Sequence, residues 1–152
     1  MIDRSRIGYS TEPTMHTVGA WRVKLFCQAI GETNPAFHDA GAAQRSGNEA
    51  APVPPTFLKA LESEHQSGAA LMKLVDAPLA GVLHAEQSFE FASPVHVGDV
   101  VEISRTIVDI FDKRDGAITL IIVDSTFCVA GRMVARGHQT IMVRSTVPSS
   151  ER

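Results

Sequence analysis

The chain has 152 residues, enough for one domain with a sizeable core and too few for a dinucleotide-binding sheet joined to a separate substrate domain. With 44% hydrophobic residues, 14 Lys+Arg and 17 Asp+Glu, it does not read as disordered. The formal net charge of −3 argues against nucleic acid as the main partner, because a phosphate backbone rewards a concentrated basic surface.

Cys27 and Cys128 are the only cysteines, too few for a disulfide framework, so the reading is reduced thiols in a cytoplasmic protein. Asp3, Arg4 and Arg6 precede no apolar run that would make a signal peptide. No apolar stretch is long enough to span a bilayer, so no membrane association is expected.

From Thr17 onward, Val18, Trp21, Leu25 and Ala29, widened by Phe26 and Ile30, predict an amphipathic helix with Thr17 as N-cap and Gly31 as its stop. Asn34-Pro35 turns the chain, and Asp39 caps a short helix through Arg45 that ends near Gly47. Pro52, Pro54 and Pro55 give a rigid approach to a helix that starts near Thr56 and carries Phe57, Leu58 and Leu61. Gly68 interrupts that run, and Ala69 to Val75 continues it.

After Gly81 the period changes to two. Ala85, Gln87, Phe89 and Phe91 fall on one face of a strand, and His84, Glu86, Ser88 and Glu90 on the other. Val101, Ile103, Arg105 and Ile107 alternate in the next strand, Lys113 to Gly116 make a polar hairpin turn, and Ala117 to Val129 is a β-branched run. Ala130-Gly131 turns into a last strand through Val143. Strands this long form a strongly coiled antiparallel sheet whose concave face needs a filler, and the helix beginning near Thr56 is the economical one. A second subunit would cover the remaining apolar surface and strand edge. The whole chain, 1–152, reads as one domain with its core at about 12–144 and frayed ends at Met1 to Ser10 and Thr146 to Arg152.

The densest cluster of chemistry-bearing residues is Gly31-Glu32-Thr33-Asn34-Pro35-Ala36-Phe37-His38-Asp39. A carboxylate beside an imidazole can hold and deliver a proton near neutral pH, which makes Glu32 and His38 the catalytic candidates. The same residues also suit a plain turn: Glu32 solvated, Asn34 bonded to its own backbone, His38 on the surface and Asp39 an N-cap. The helix start at Pro55, Thr56 and Phe57 either aims amides at a carbonyl oxygen or simply stiffens the approach to the core. His84 and His96 are either polar strand and loop residues or site histidines, His84 being the better candidate at the sheet opening. His16, His65 and His138 lack a convincing partner in sequence. Arg132, Arg136 and Arg144 on the last strand form a solvated face or attract a phosphate-bearing carrier. No metal-ligand spacing, Gly-rich nucleotide loop or nucleophile elbow occurs.

Four stretches in order, Phe26 to Pro35, Pro54 to Phe57, His84 to Phe91 and Pro94 to Asp99, resemble the MaoC-like hydratase/dehydratase superfamily, and more closely the N-terminal-type domain of the FAS1-like dehydratases. The resemblance implies an α+β hot-dog fold, an antiparallel sheet wrapped around a central helix and doubled on dimerisation. It implies no cofactor and no metal, and a substrate carried as an acyl-coenzyme A or acyl-carrier-protein thioester.

Active relatives resemble (R)-specific enoyl-thioester hydratases, in which a carboxylate and a histidine activate water while amides stabilise the enolate-like oxygen. Their pattern resembles Gly-Asp-x-Asn-Pro-x-His. Here Gly31, Asn34 and Pro35 match, Glu32 replaces the aspartate, and Phe37 occupies the histidine position, with His38 one residue late. The implied role is a substrate-binding half, with Asn34, Pro55, Thr56, Phe57, Leu61 and His84 toward the substrate and a second hot-dog subunit supplying the catalytic pair. The alternatives are a self-sufficient homodimeric enoyl-coenzyme A hydratase using Glu32 and His38, and an acyl-thioester-binding protein without turnover.

Overall fold

The computed structural model describes residues 2–37, 39–47 and 49–144. Among these residues four α-helices and a short strand precede four long strands: β1 (Thr14–Thr17), α1 (Ala20–Ile30), α2 (Ala40–Arg45), α3 (Phe57–His65), α4 (Gly68–Leu74), β2 (Val82–Phe91), β3 (Val100–Lys113), β4 (Ile118–Val129) and β5 (Arg132–Arg144). All pairings in the sheet are antiparallel, in the order β1-β3-β4-β5-β2, so β1 and β2 are its edges. This α+β, hot-dog-like arrangement places α1, α3 and α4 against one face of the sheet. Among the described residues no helix is long and apolar enough to cross a membrane.

That face carries two apolar clusters. Val23 and Cys27 of α1 and Phe57, Leu58 and Leu61 of α3 pack on Val101, Ile103, Phe127 and Ala135. Leu71 and Met72 of α4 pack on Ile107, Ile110, Ile121, Ile141 and Val143. Burying each Val, Leu, Ile, Phe or Met side chain among these contributes about 1.5–3 kcal/mol. Both clusters follow from strict alternation: β4 buries Ile121, Val123, Ser125 and Phe127 in turn, and β3 buries Val101, Ile103, Arg105 and Ile107.

Of the expected N-caps Asp39 stands, and α4 has one at Ser67 that the sequence reading did not name. Asp39 Oδ1 accepts the Gly41 amide at 2.7 Å to start α2, and the Ser67 hydroxyl accepts the Ala70 amide at 3.1 Å to start α4. The helical run therefore breaks at Gln66–Ser67, just ahead of Gly68. At the β3–β4 turn Arg114 and Asp115 both have positive φ, the backbone that a tight hairpin demands.

Three expectations need correction. Helix α1 starts at Ala20 with Gly19 as N-cap, because Thr17 ends β1 and Val18 is held by bonds to Asp99 and Gly98. Its inward face is Val23 and Cys27, while Trp21 and Leu25 are 70% and 57% exposed. Apolar residues lie almost all round this helix, so its own periodicity could not choose between faces. The N-terminal segment is also not frayed from residue 2 on: Asp3 N–H donates to Val75, Gly8 N–H to Ile107 and Thr11 N–H to Arg105, each at 2.8 Å. Thr146 to Arg152 lie outside the described residues.

Candidate functional site

Gly31 ends α1 in the left-handed conformation, φ 70°, with its N–H turned back onto the carbonyls of Cys27 and Gln28. The chain then enters the Glu32–Phe37 turn. Glu32 Oε1 accepts the Asn34 amide at 2.7 Å, and Asn34 Oδ1 accepts the Ala36 amide at 3.0 Å. Both side chains therefore brace the turn backbone. Beneath it, the buried Cys27 thiol is pushed up in pKa first by desolvation and then by the Glu32 carboxylate.

Phe37 ends the short 3₁₀ turn Pro35–Phe37, half-buried against the first apolar cluster. It lines a cleft of about 420 Å³ with Trp21, Lys24, Ala51 and Val97. His38, the other catalytic candidate, lies outside the described residues.

The proline-rich approach pairs with the loop before β3: Val53 N–H donates to Val95 and Val97 N–H to Ala51, both at 2.8 Å. The same loop is braced by the His96 amide on Asp99 Oδ2 at 2.8 Å. Pro55 and Thr56 stand exposed at the head of α3, and Thr56 makes no side-chain cap. The Phe57 amide is already bonded to the Pro54 carbonyl at 2.8 Å. Pro55 borders an apolar groove of about 280 Å³ with Val53, Leu58, Phe91 and Val95. Leu58, rather than Phe57 or Leu61, is the α3 side chain that lines it. Phe57 and Leu61 are 2% and 0% exposed and lie in the core behind.

His84 is elsewhere. A bulge between His84 and Glu86 shifts the register, so that His84 pairs with Ile141 while Gln87 pairs with Gln139. Residues directly opposite share a face, which puts His84 on the Gln87 side rather than with Glu86 and Ser88. There it lines a cleft of about 330 Å³ with Lys59, Gln66, Met72, Arg105 and Gln139. The candidates are thus spread over three places: the Glu32–Asn34 turn, the head of α3, and this cleft at the far end of the same helix.

The sequence reading missed a polar layer between the two apolar clusters. Glu62 is fully buried; it accepts the Ser125 hydroxyl on Oε1 and pairs with Lys59 through Oε2. Arg105, 3% exposed, places Nε 3.5 Å from Glu62 Oε1 and donates from Nη2 to Gln139 Oε1 at 2.6 Å and from Nη1 to the Gln66 carbonyl at 3.3 Å. Burial pulls the Arg105 pKa down and Glu62 opposes that pull. Glu62 and Ser125 are 63 positions apart, so only Arg105 within an apolar alternation hinted at the layer.

The histidines left without partners in sequence acquire them. Thr14 Oγ1 lies 2.8 Å from His16 Nε2 and 2.5 Å from His65 Nδ1, while His138 Nδ1 is 2.7 Å from Asp124. Both cysteines are free thiols, Cys27 buried and Cys128 partly so. Arg132, Arg136 and Arg144 are all exposed on β5.

The family model for the FAS1-like dehydratase domain region matches residues 5–136. The chain is 33% identical over 112 residues to UPF0336 protein SCO4636 of Streptomyces coelicolor, covering 70% of this chain and 71% of that one. Its fold is similar to that of a MaoC-like dehydratase, with TM-score 0.81 and 25% identity over 93% of this chain and 43% of the other. It is also similar to a chain of the C-terminally truncated HadBC (3R-hydroxyacyl-ACP dehydratase) complex of Mycobacterium tuberculosis, with TM-score 0.75, 24% identity and coverage of 90% and 96%. A third similar fold is the (R)-hydratase of A. caviae involved in PHA biosynthesis, with TM-score 0.68, 20% identity and coverage of 89% and 94%. With 132 consecutive positions matched to the family and the hot-dog-like architecture in common, the chain belongs to the FAS1-like dehydratase domain family of the MaoC-like hydratase/dehydratase superfamily.

Proposed function

We propose that this chain is the substrate-binding subunit of an (R)-specific enoyl-thioester hydratase, or 3-hydroxyacyl-thioester dehydratase, whose partner supplies the catalytic aspartate and histidine. The observation that carries the reading is Phe37. It occupies the position of the family histidine, yet it is a half-buried phenyl ring packed on the core, and a phenyl ring neither accepts nor donates a proton. Glu32, one methylene longer than aspartate, is engaged with the Asn34 amide.

In this reading the chain is one domain with its core at about 12–144, and its sheet curls around α3. The sheet continues across the exposed edge of β2, where Leu83 and Phe91 are about half exposed, into a second hot dog. A heterodimer is favoured over a homodimer by the same Phe37 argument, and the two-protein HadBC assembly among the similar folds supports it. The acyl thioester, on coenzyme A or acyl carrier protein, lies at the head of α3. Asn34, Pro55 and Thr56 flank it, and Phe57 and Leu61 hold up the groove wall from the core. His84, at the other end of α3, meets the remote part of a long acyl chain. The setting is cytoplasmic fatty-acyl metabolism.

The test is hydration of a medium-length trans-2-enoyl-coenzyme A by the purified chain, alone and mixed with a second hot-dog protein bearing an intact Gly-Asp-x-Asn-Pro-x-His pattern. Activity that appears only in the mixture supports the reading. Turnover by the isolated chain that is abolished by Glu32→Gln or His38→Ala contradicts it and favours a self-sufficient homodimer.

A further inference from the structure

The cleft that runs along α3 between it, α4 and the sheet has a composition that core packing does not require. Its apolar floor is Leu71, Met72, Val82 and Ile141, and its wall carries Lys59 and Arg105. Its volume of about 330 Å³ falls at the small end of the ~300–1,000 Å³ range of small-molecule sites.

The wall holds more positive charge than it neutralises. Among the described residues Glu62 is the only carboxylate within ion-pair distance of either Lys59 or Arg105, so two cations share one anion. Arg105 is 3% exposed, and its Nε, 3.5 Å from Glu62 Oε1, makes no hydrogen bond. Beside it the buried Gln66 Oε1 is likewise unpaired, and turning that amide about its terminal bond presents N–H groups to the same space. Polar atoms buried without partners are uncommon and costly, and the second cation, Lys59, reaches the cleft from a partly exposed position. An anionic oxygen entering the cleft would pair with both cations.

We propose that this cleft binds an aliphatic carboxylate, its chain on Leu71, Met72, Val82 and Ile141 and its carboxylate on Lys59 and Arg105. The ligand is either a free medium-chain acid or the far end of a carboxylate-terminated acyl thioester. Binding of a free acid stands on the cleft alone; the thioester source rests on the proposed hydratase reading, in which His84 of this cleft meets the acyl tail.

Calorimetric titration of the full chain with octanoate, octan-1-ol and octylamine tests it. Octanoate should bind at least tenfold more tightly than either neutral or cationic probe. Lys59 is partly exposed and can be replaced without opening the core; Lys59→Met should weaken octanoate at least tenfold and leave octanol unchanged, and Lys59→Arg should restore octanoate. In methyl NMR of the wild type, octanoate should shift the Met72 signal and leave Met133 unmoved. Suberyl-coenzyme A, whose free carboxylate sits at the end of the acyl chain, identifies the source: binding tighter than octanoate assigns the cleft to thioester tails, and weaker binding to free acids. Equal affinity for octanoate and octanol, no binding of octanoate at millimolar concentration, or an unshifted Met72 signal overturns the proposal whatever the variants do.

Discussion

The groove at the head of α3 and the cleft at its tail are built on the same helix and sheet, yet one is walled by Val53, Leu58, Phe91 and Val95 and the other by Lys59, Arg105 and Gln139. Alternation along the strands is the same through both. What differs is one cross-strand layer, Arg105 opposite Ser125 with Gln139 diagonal to them, where charge replaces aliphatic carbon. A buried ion pair is seldom more stabilising than well-packed apolar residues of the same volume. The contrast therefore separates two uses of one scaffold: an apolar end that the fold needs, and a charged layer whose stability contribution is small but whose disruption is expensive.

The largest expected effect breaks that layer from one side. Glu62→Gln leaves Lys59 and Arg105 without their shared carboxylate and should cost about 3–5 kcal/mol in urea denaturation. Joining Glu62→Met to Arg105→Met merges the two apolar clusters and should recover most of that loss. If the double variant is as unstable as the single one, the layer is a structural necessity and the contrast fails.

Next come cavities on either side of the layer. Leu61→Ala in the first cluster and Ile121→Ala in the second, both at fully buried positions, should each cost about 2–5 kcal/mol. Because the layer separates the clusters, the double variant should lose the sum to within about 0.5 kcal/mol. A clear departure from additivity in the denaturation midpoints, at constant slope, would show that the clusters act as one.

The smallest effect is a pH dependence at the tail of α3. The His65 pKa is held below its usual 6.5 by burial first, then by Arg105 and His16, against a weaker opposite pull from Glu62. His16 is lowered likewise by burial and by Arg22. The unfolded chain therefore binds protons at these sites more readily than the folded one. Stability is fully present above the unfolded value and falls as pH drops below about 6.5. A melting temperature followed from pH 7.5 to 5.5 should decline, and His65→Gln should flatten the decline.

The strands, their turns and the caps at Asp39 and Gly31 were legible in the sequence because each is written in local chemistry: period-two alternation, polar turns containing glycine, a side chain that accepts its own helix amide. The start of α3 after Pro54-Pro55 was legible for the same reason. The face of α1, the bulge that moves His84, and the four-residue β1 were not, since each depends on what the segment meets in the fold. The charged layer was the least visible, because Glu62 on a helix and Ser125 on a strand acquire meaning only when the sheet register brings them together. At the candidate site the turn at Glu32–Asn34 and the stiff entry at Pro55 were legible as local structure, whereas the packing that sets Leu58 rather than Leu61 beside the groove was not.

The central claim is that Phe37 makes this chain dependent on a partner for proton transfer, and steady-state hydration of trans-2-enoyl-coenzyme A tests it most directly. The account predicts negligible turnover by the isolated chain, sharp activation by a hot-dog partner with an intact Asp and His, and a loss of about 10²-fold or more when either partner residue is removed. Glu32→Gln and His38→Ala in this chain should have only modest effects in that complex. Robust turnover by the isolated chain, collapsing in those two variants while the fold is retained, would contradict it.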